Sequence, residues 1–228
     1  MSFIVKNTTY PNPFDLLFPH SCRGCGHLGE ALCECCKNNI VKSYQNICPN
    51  CKNPKKSSRC KKCKNLPPIY IAGNRNSLLG EIIHDYKYHS IRSLSRPLAE
   101  ILDHILPRDL PKNSILVPLP TANHHIRSRG FDHTYKITKD LAKIRKFKIE
   151  PVLLRAKNTV QVGASKEARL TQAKEAYVLN PEIKLRHEAT YILFDDVWTT
   201  GASIKAAKKL LKNGGAKNIR IVLLAYSS

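Results

Sequence analysis

Residues 191–203, YILFDDVWTTGAS, constrain this chain more than any other stretch. The apolar run 191–194 predicts a buried parallel strand. Asp195 and Asp196 fall where that strand should end. Thr199, Thr200, Gly201, Ala202 and Ser203 follow, small and hydroxyl-bearing, and a helical pattern then runs to about Leu211. Strand, acidic pair, small polar turn and helix make half of a βαβ unit. Open α/β sheets take their ligands at the carboxyl ends of the strands.

The residue types of the turn specify a chemistry. Gly201 lets the backbone approach a ligand closely. Backbone N–H groups at a helix N-terminus form a concave anion site, favoured by the helix dipole. Thr199, Thr200 and Ser203 add hydroxyl donors, and the turn suits a phosphate monoester. Two adjacent carboxylates suit sugar hydroxyls or a divalent metal with oxygen ligands. Together they describe a ribose 5-phosphate. The bland alternative is a strand–loop–helix corner with its acids facing solvent.

These thirteen residues resemble the phosphoribosyl pyrophosphate (PRPP) motif of type I phosphoribosyltransferases: four apolar residues, two acids, an apolar and a variable residue, then Thr-Thr-Gly-x-Ser/Thr. The resemblance implies that Asp195 and Asp196 hold the ribose 2- and 3-hydroxyls. It implies that the turn 199–203 holds the 5-phosphate, with Mg²⁺ accompanying PRPP. Trp198, unusual at the variable position, is expected to narrow or cover the pocket.

A second feature is the spacing of the cysteines. Cys22-x2-Cys25 is followed by Cys33-x2-Cys36, and Cys48-x2-Cys51 by Cys60-x2-Cys63. The same layout occurs twice. A CxxC pair sets two thiolates on one tight knuckle, and two knuckles complete a tetrahedral zinc site. Two structural zinc sites are expected, paired sequentially, in a segment that would not fold without metal. Cys35 is left over, or replaces Cys36 as a ligand. A single zinc with a decayed second site and an iron–sulfur cluster are the alternatives.

The formal net charge of +21 favours polyanionic partners. Residues 37–64 hold nine basic side chains and no acid. This basic ribbon reads as a nucleic-acid clamp, or as a solvated face offsetting the charge of four-thiolate zinc centres. The longest apolar runs fall far below the ~18–20 residues of a membrane span. The apolar stretch at the N-terminus is too short for a signal peptide, so no membrane insertion and a cytoplasmic location with reduced cysteines are expected.

With 228 residues, the chain has room for one α/β domain and a small appendage. We expect a zinc-ribbon region at 1–66 and a domain with a mostly parallel sheet at 67–228. Phe14 to Phe18 form an apolar patch near the start. Residues 69–73 read as an edge strand and 77–89 as a helix ending in Lys87-Tyr88-His89. Ser95 is placed as the cap of a helix reaching Leu106. A strand at 115–117 leads to a loop carrying His124, His125, Arg127, Arg129 and His133. Arg127 and Arg129 suit a pyrophosphate, with Lys87 as a further cation. The adjacent histidines read as solvent-exposed rather than metal-binding, because neighbouring side chains do not converge. A helix is expected from about His133 to Lys146, and strands at 151–155 and 218–225. Residues 157–172 have the character of a mobile lid or of a plain surface excursion.

Taken over nearly its full length, the chain resembles the ComF/GntX group, a zinc ribbon joined to a type I phosphoribosyltransferase-like domain. The features carrying this are the CxxC repeats, Lys87-Tyr88, Pro118-Leu119-Pro120, Arg127-Ser128-Arg129-Gly130-Phe131-Asp132, Gln161 with Arg169-Leu170-Thr171-Gln172, Ala176-Tyr177 and the central motif. Asp132-His133 stands where the family usually has Asn-Gln, and Gln172 where it usually has Asn. The resemblance implies a cytoplasmic protein of natural transformation. It would act on incoming single-stranded DNA, with PRPP as ligand and proteins of the competence machinery as partners. Transferase and non-catalytic PRPP-sensing or DNA-binding readings both remain, and no residue stands out as a general base.

Overall fold

The computed structural model describes residues 21–43, 46–156 and 176–227. The Phe14–Phe18 patch, Tyr44 and the 157–172 segment, with Gln161, Gly163 and the 169–172 run, lie outside the described residues.

The apolar run at 191–194 forms the middle strand of a five-stranded sheet. Its strands are β1 (Ile69–Asn74), β2 (Ile115–Pro118), β3 (Lys148–Ile149), β6 (Thr190–Trp198) and β7 (Asn218–Tyr226). The order is β1-β7-β6-β2-β3, and every pairing is parallel. β1 lies at an edge, as its sequence suggests. A separate antiparallel pair joins β4 (Leu153–Arg155) to β5 (Tyr177–Leu179).

The central strand is longer than its apolar run. Its pairing with β2 stops at Phe194, but its pairing with β7 continues through Trp198↔Tyr226. The expected end at residue 194 is therefore corrected: one neighbour ends there and the other does not. Asp195 and Asp196 project beyond β2, still fixed along their other side by β7.

Alternation along β6 divides the core. Ile192 and Phe194 pack with α2 (Leu78–Tyr88), α3 (Ser95–Ile105) and α5 (His133–Arg145). Tyr191 and Leu193 pack with α6 (Ala202–Asn213) and the β4–β5 pair. The helices follow their apolar spacing, and α5 starts at the cap Asp132, whose Oδ1 accepts from the Tyr135 amide.

Ser95 does not cap α3. Leu94 occupies that position after a 3₁₀ turn, Arg92–Leu94, and Ser95 Oγ donates to Asp140 Oδ2 on α5 at 2.7 Å. Arg145 closes the same helix pair from the other end. It donates to the Leu106 and Pro107 carbonyls at 2.9 and 2.8 Å and pairs with Asp103, meeting carbonyls that the end of α3 leaves free.

The cysteine-rich segment packs on both faces. Leu32, Cys36 and Ile40, the last two on α1 (Glu34–Lys42), join the α2–α3 layer. Cys48 and Leu66 join the α6 layer. Between them, the Ser58 carbonyl accepts from the Ile69 amide at 2.9 Å and Lys55 Nζ donates to the Ile69 carbonyl at 2.8 Å. The start of the outer edge of β1 is thereby paired, which hinders edge-to-edge pairing there. Among the described residues no helix is long and apolar enough to cross a membrane.

Candidate functional site

The cysteines meet as two groups of four, Cys22, Cys25, Cys33, Cys36 and Cys48, Cys51, Cys60, Cys63. The pairing is sequential. Sulfur separations of 3.7 Å (Cys25–Cys33), 3.5 Å (Cys51–Cys60) and 4.0 Å (Cys48–Cys63) bracket the ~3.8 Å edge of a tetrahedron with Zn–S bonds of about 2.3 Å. All ligands are thiols, the donor set of a closed structural zinc site.

The repeat is physical as well as textual. The Cys22 amide donates to the His27 carbonyl and Gly26 donates back to Cys22; Cys48 to Asn53 and Lys52 to Cys48 repeat both bonds. The position that closes each knuckle is left-handed, with φ of 77° at Gly26 and 59° at Lys52. The second halves differ, because Cys33 is the N-cap of α1 and places Cys36 one turn on. Cys35 points away, exposed, near Asn39.

The ribbon's cations do not all face solvent. Lys37 is buried and paired with Glu34 and Glu100, and Lys55 is buried against β1. Lys37 and Lys55 serve the fold and are unavailable to a partner.

At the carboxyl edge of the sheet, Asp196 turns into the α2–α5 layer and is 6% exposed. Lys87 Nζ lies 2.5 Å from its Oδ2, and His133 Nε2 lies 2.6 Å from the same oxygen. Arg129 Nη1 stands 2.9 Å from His133 Nδ1. A guanidinium can only donate, so Nδ1 accepts and the Nε2 hydrogen goes to Asp196. Tyr86 ties α2 to the start of α5 by donating to the His133 backbone carbonyl at 3.0 Å. Burial would raise the Asp196 pKa, but the Lys87 ammonium and the His133 bond hold it well below the usual carboxylate range.

Successive strand residues face opposite ways. Asp195 therefore turns toward the α6 side, half-buried, with its Oδ1 accepting from the Asp196 amide at 2.9 Å. Burial and the neighbouring Asp196 charge push its carboxyl up. Tyr177 stands near it: burial raises that hydroxyl's pKa, and Ser203 and Arg155 reach it from the turn and from β4. Arg155 also stacks on the Tyr177 ring at 5.4 Å.

Between these halves runs the turn. Thr199 and Thr200 are exposed, and Thr200 Oγ1 accepts from the Ala202 amide at 3.3 Å. Gly201 caps α6 with φ 73° and ψ 9°. A Cβ there would also sit 2.1 Å from the Trp198 ring. Conformation and space both demand glycine. Trp198 is 2% exposed and lies under this turn, so it does not cover the pocket as expected. The second core layer holds it, and the turn rests on its ring.

Lys87, Arg129 and Asp196 come together, as do Asp195 and Ser203 through Tyr177. Arg127 sits apart on the exposed side of the short helix α4 (Asn123–Arg129), two residues from Arg129. His124 and His125 are exposed and outside every metal-competent group. Sequence reasoning assigned no role to His133, Arg155 or Tyr177. His133 stands out in sequence only as a loop histidine and a departure from a family pattern, Tyr177 only as part of the Ala176-Tyr177 pair that carries the resemblance, and Arg155 only as the end of a strand.

No family model matches the chain. Competence protein F of Haemophilus influenzae is 28% identical over 226 residues, 90% of this chain and 94% of its own length. Competence protein ComFC of Streptococcus pneumoniae is 22% identical over 197 residues, covering 84% and 86%. Over most of its length the chain is thus similar to ComF competence proteins. The DNA utilization protein YhgH of Escherichia coli K12 is a further relative, 25% identical over 207 residues, 84% of the chain and 88% of its own length. Among solved structures, an allosteric regulatory enzyme of purine biosynthesis aligns with a TM-score of 0.44 at 12% identity, over 61% of this chain and 29% of the enzyme. A hypoxanthine phosphoribosyltransferase of Staphylococcus aureus aligns with a TM-score of 0.35 at 12% identity, over 61% and 65%.

Cys36→Ser should remove one zinc ion per chain, measured by elemental analysis of purified protein, whereas Cys35→Ser should leave the zinc content unchanged. Equal zinc in both variants would show that the α1 knuckle is closed differently.

Proposed function

We propose that this protein binds PRPP with Mg²⁺ at the carboxyl edge of its sheet. We propose further that it works in the cytoplasm on, or with, single-stranded DNA taken up in natural transformation. The observation that carries the first part is the buried Asp196, held by Lys87 and His133 beside a turn that admits only glycine. Carboxylates, cations and a helix N-terminus stand within one edge of one sheet. The relatives' names, competence and DNA utilization proteins, support the setting.

In this reading the backbone and hydroxyls of Thr199, Thr200, Gly201, Ala202 and Ser203 take the 5-phosphate, and Asp195 and Asp196 take the ribose hydroxyls. Arg129 and Lys87 face the pyrophosphate, with Arg127 reaching it from the exposed face of α4. Mg²⁺ supplies charge neutralisation for the pyrophosphate oxygens. In a transfer, the bond from C1 to pyrophosphate breaks with its electron pair leaving on pyrophosphate. The acceptor's lone pair then forms the new bond to C1, and its proton passes to solvent. The positive charge on the ribose ring is greatest between the two events, where fixed carboxylates stabilise it.

Calorimetric titration of the zinc-loaded protein with PRPP and Mg²⁺ should show binding that weakens about tenfold or more in Asp196→Asn and in Asp195→Asn, since each lost charge-assisted contact is worth roughly 1.5–3 kcal/mol. Circular dichroism of the variants checks that the fold persists. Equal affinity in wild type and both variants would remove the proposal.

A nucleic-acid role has its own observation. Where α6 and the start of β7 meet the end of the ribbon, a cleft is lined by Arg59, Lys64, Lys208, Lys212, Lys217 and Arg220, with no acid among its lining residues. A second cleft, lined by Lys62, Lys64, Lys205 and Lys208, adjoins it. The first lies at the opposite ends of the strands from Asp196, by Thr190 and Asn218, so phosphates held there would not displace PRPP; the second reaches Lys205 in the first turn of α6. Fluorescence anisotropy with a single-stranded oligonucleotide should show affinity falling steeply between roughly 50 mM and 200 mM salt, by about 0.7 log units per phosphate contact for each tenfold in salt. Lys212→Glu with Lys217→Glu should flatten that slope. A salt-independent affinity would contradict the assignment.

A further inference from the structure

One cluster outside the carboxyl edge and the cysteine tetrads has the makings of a metal site. His84 and Asp85 lie in the last turns of α2, and His89 is its C-cap. One potential ligand atom from each lies within 4.8 Å of the others. Asp85 Oδ1 is 2.8 Å from His89 Nδ1, and the His84 and His89 rings stand nearly perpendicular, 5.3 Å between centroids. The Asp85 side chain is only 13% exposed, while that of His89 is 59% exposed.

The carboxylate is already oriented from behind. Its other oxygen, Oδ2, accepts from Arg23 Nε at 2.7 Å. A partner of this kind, one bond beyond the ligand, fixes a metal-binding carboxylate in place. The location is favourable too, because free carbonyls at a helix C-terminus attract a cation. A plain surface His–Asp pair accounts for Asp85 and His89; His84, whose ring also packs on Tyr88 at 4.9 Å between centroids, brings a third donor within reach of both.

We propose that His84, Asp85 and His89 form a third metal site, for a divalent transition ion such as Zn²⁺ or Co²⁺. Two imidazoles and a carboxylate are the donors such ions prefer. Three protein ligands leave a coordination position open to water or a small ligand, unlike the closed cysteine sites. The place of the site gives it a consequence. Arg23 lies between Cys22 and Cys25, and Lys87, between His84 and His89 in sequence, reaches Asp196. An ion here would tie the first zinc knuckle to the helix that delivers Lys87. The site does not depend on PRPP being the ligand of the carboxyl edge.

The test is titration of full-length protein, its cysteine sites loaded with zinc, with Co²⁺, followed by visible absorption and metal analysis after desalting. The expected result is one further equivalent of Co²⁺, without the thiolate charge-transfer band that cysteine-bound cobalt gives. His84→Ala and His89→Ala should each abolish it while keeping the zinc, and His124→Ala with His125→Ala should keep both. No retained Co²⁺, or the same equivalent in His84→Ala and His89→Ala, would overturn the assignment.

Discussion

A carboxylate removed from water must be paired or it destabilises the fold by several kcal/mol. Asp196 is such a carboxylate, and three separate elements meet at it. β6 carries it, α2 brings Lys87 and α5 brings His133. Apolar packing would hold both helices on this face in any case, but it fixes neither their rotation nor their height. The two bonds to one oxygen do. They also draw Arg129 inward through His133, so cations stand at the sheet's edge before any ligand arrives. Preorganisation of that kind is what an anionic sugar phosphate needs from its site.

The cysteine-rich segment depends on a different force and serves the same sheet. It has few apolar anchors of its own, and its knuckles are held in shape by short backbone bonds and by converging sulfurs. Metal ions held by the two cysteine tetrads would supply the cohesion that a small core cannot. Once formed, the segment pairs the start of the outer edge of β1 and lends residues to both core layers. The ribbon is thus part of the domain's packing, and its remaining exposed lysines lie next to those of α6 to make one basic surface.

Much of this was legible in the sequence because it is local. A strand, a glycine turn and a helix within 25 residues, and two knuckles a few residues apart, need no knowledge of the rest of the chain. The choice of Cys36 over Cys35 needed one more fact, that a helix starts after Cys33 and brings residues three apart onto one face. Trp198 was misread for lack of another: a buried ring beneath a turn and an exposed ring above it look alike in sequence. The extension of β6 past Phe194 depends on how far β7 runs beside it. Arg155 and Tyr177 reach the turn from a separate two-stranded sheet, and no spacing rule connects them to Ser203. His133 stood in plain view as a polar residue at a helix start, but its partner lies 63 positions away.

The account rests on the Asp196 cluster being where a ribose phosphate is received. His133 reports on it directly, since its imidazole bridges Arg129 and Asp196. Imidazole nitrogen resonances can be followed in ¹⁵N-histidine-labelled protein, with the His133 signals identified by their loss in His133→Gln. Addition of PRPP with Mg²⁺ should shift both ring nitrogens of His133 while leaving those of exposed His104 in place. Unmoved His133 resonances at saturating PRPP would contradict the account.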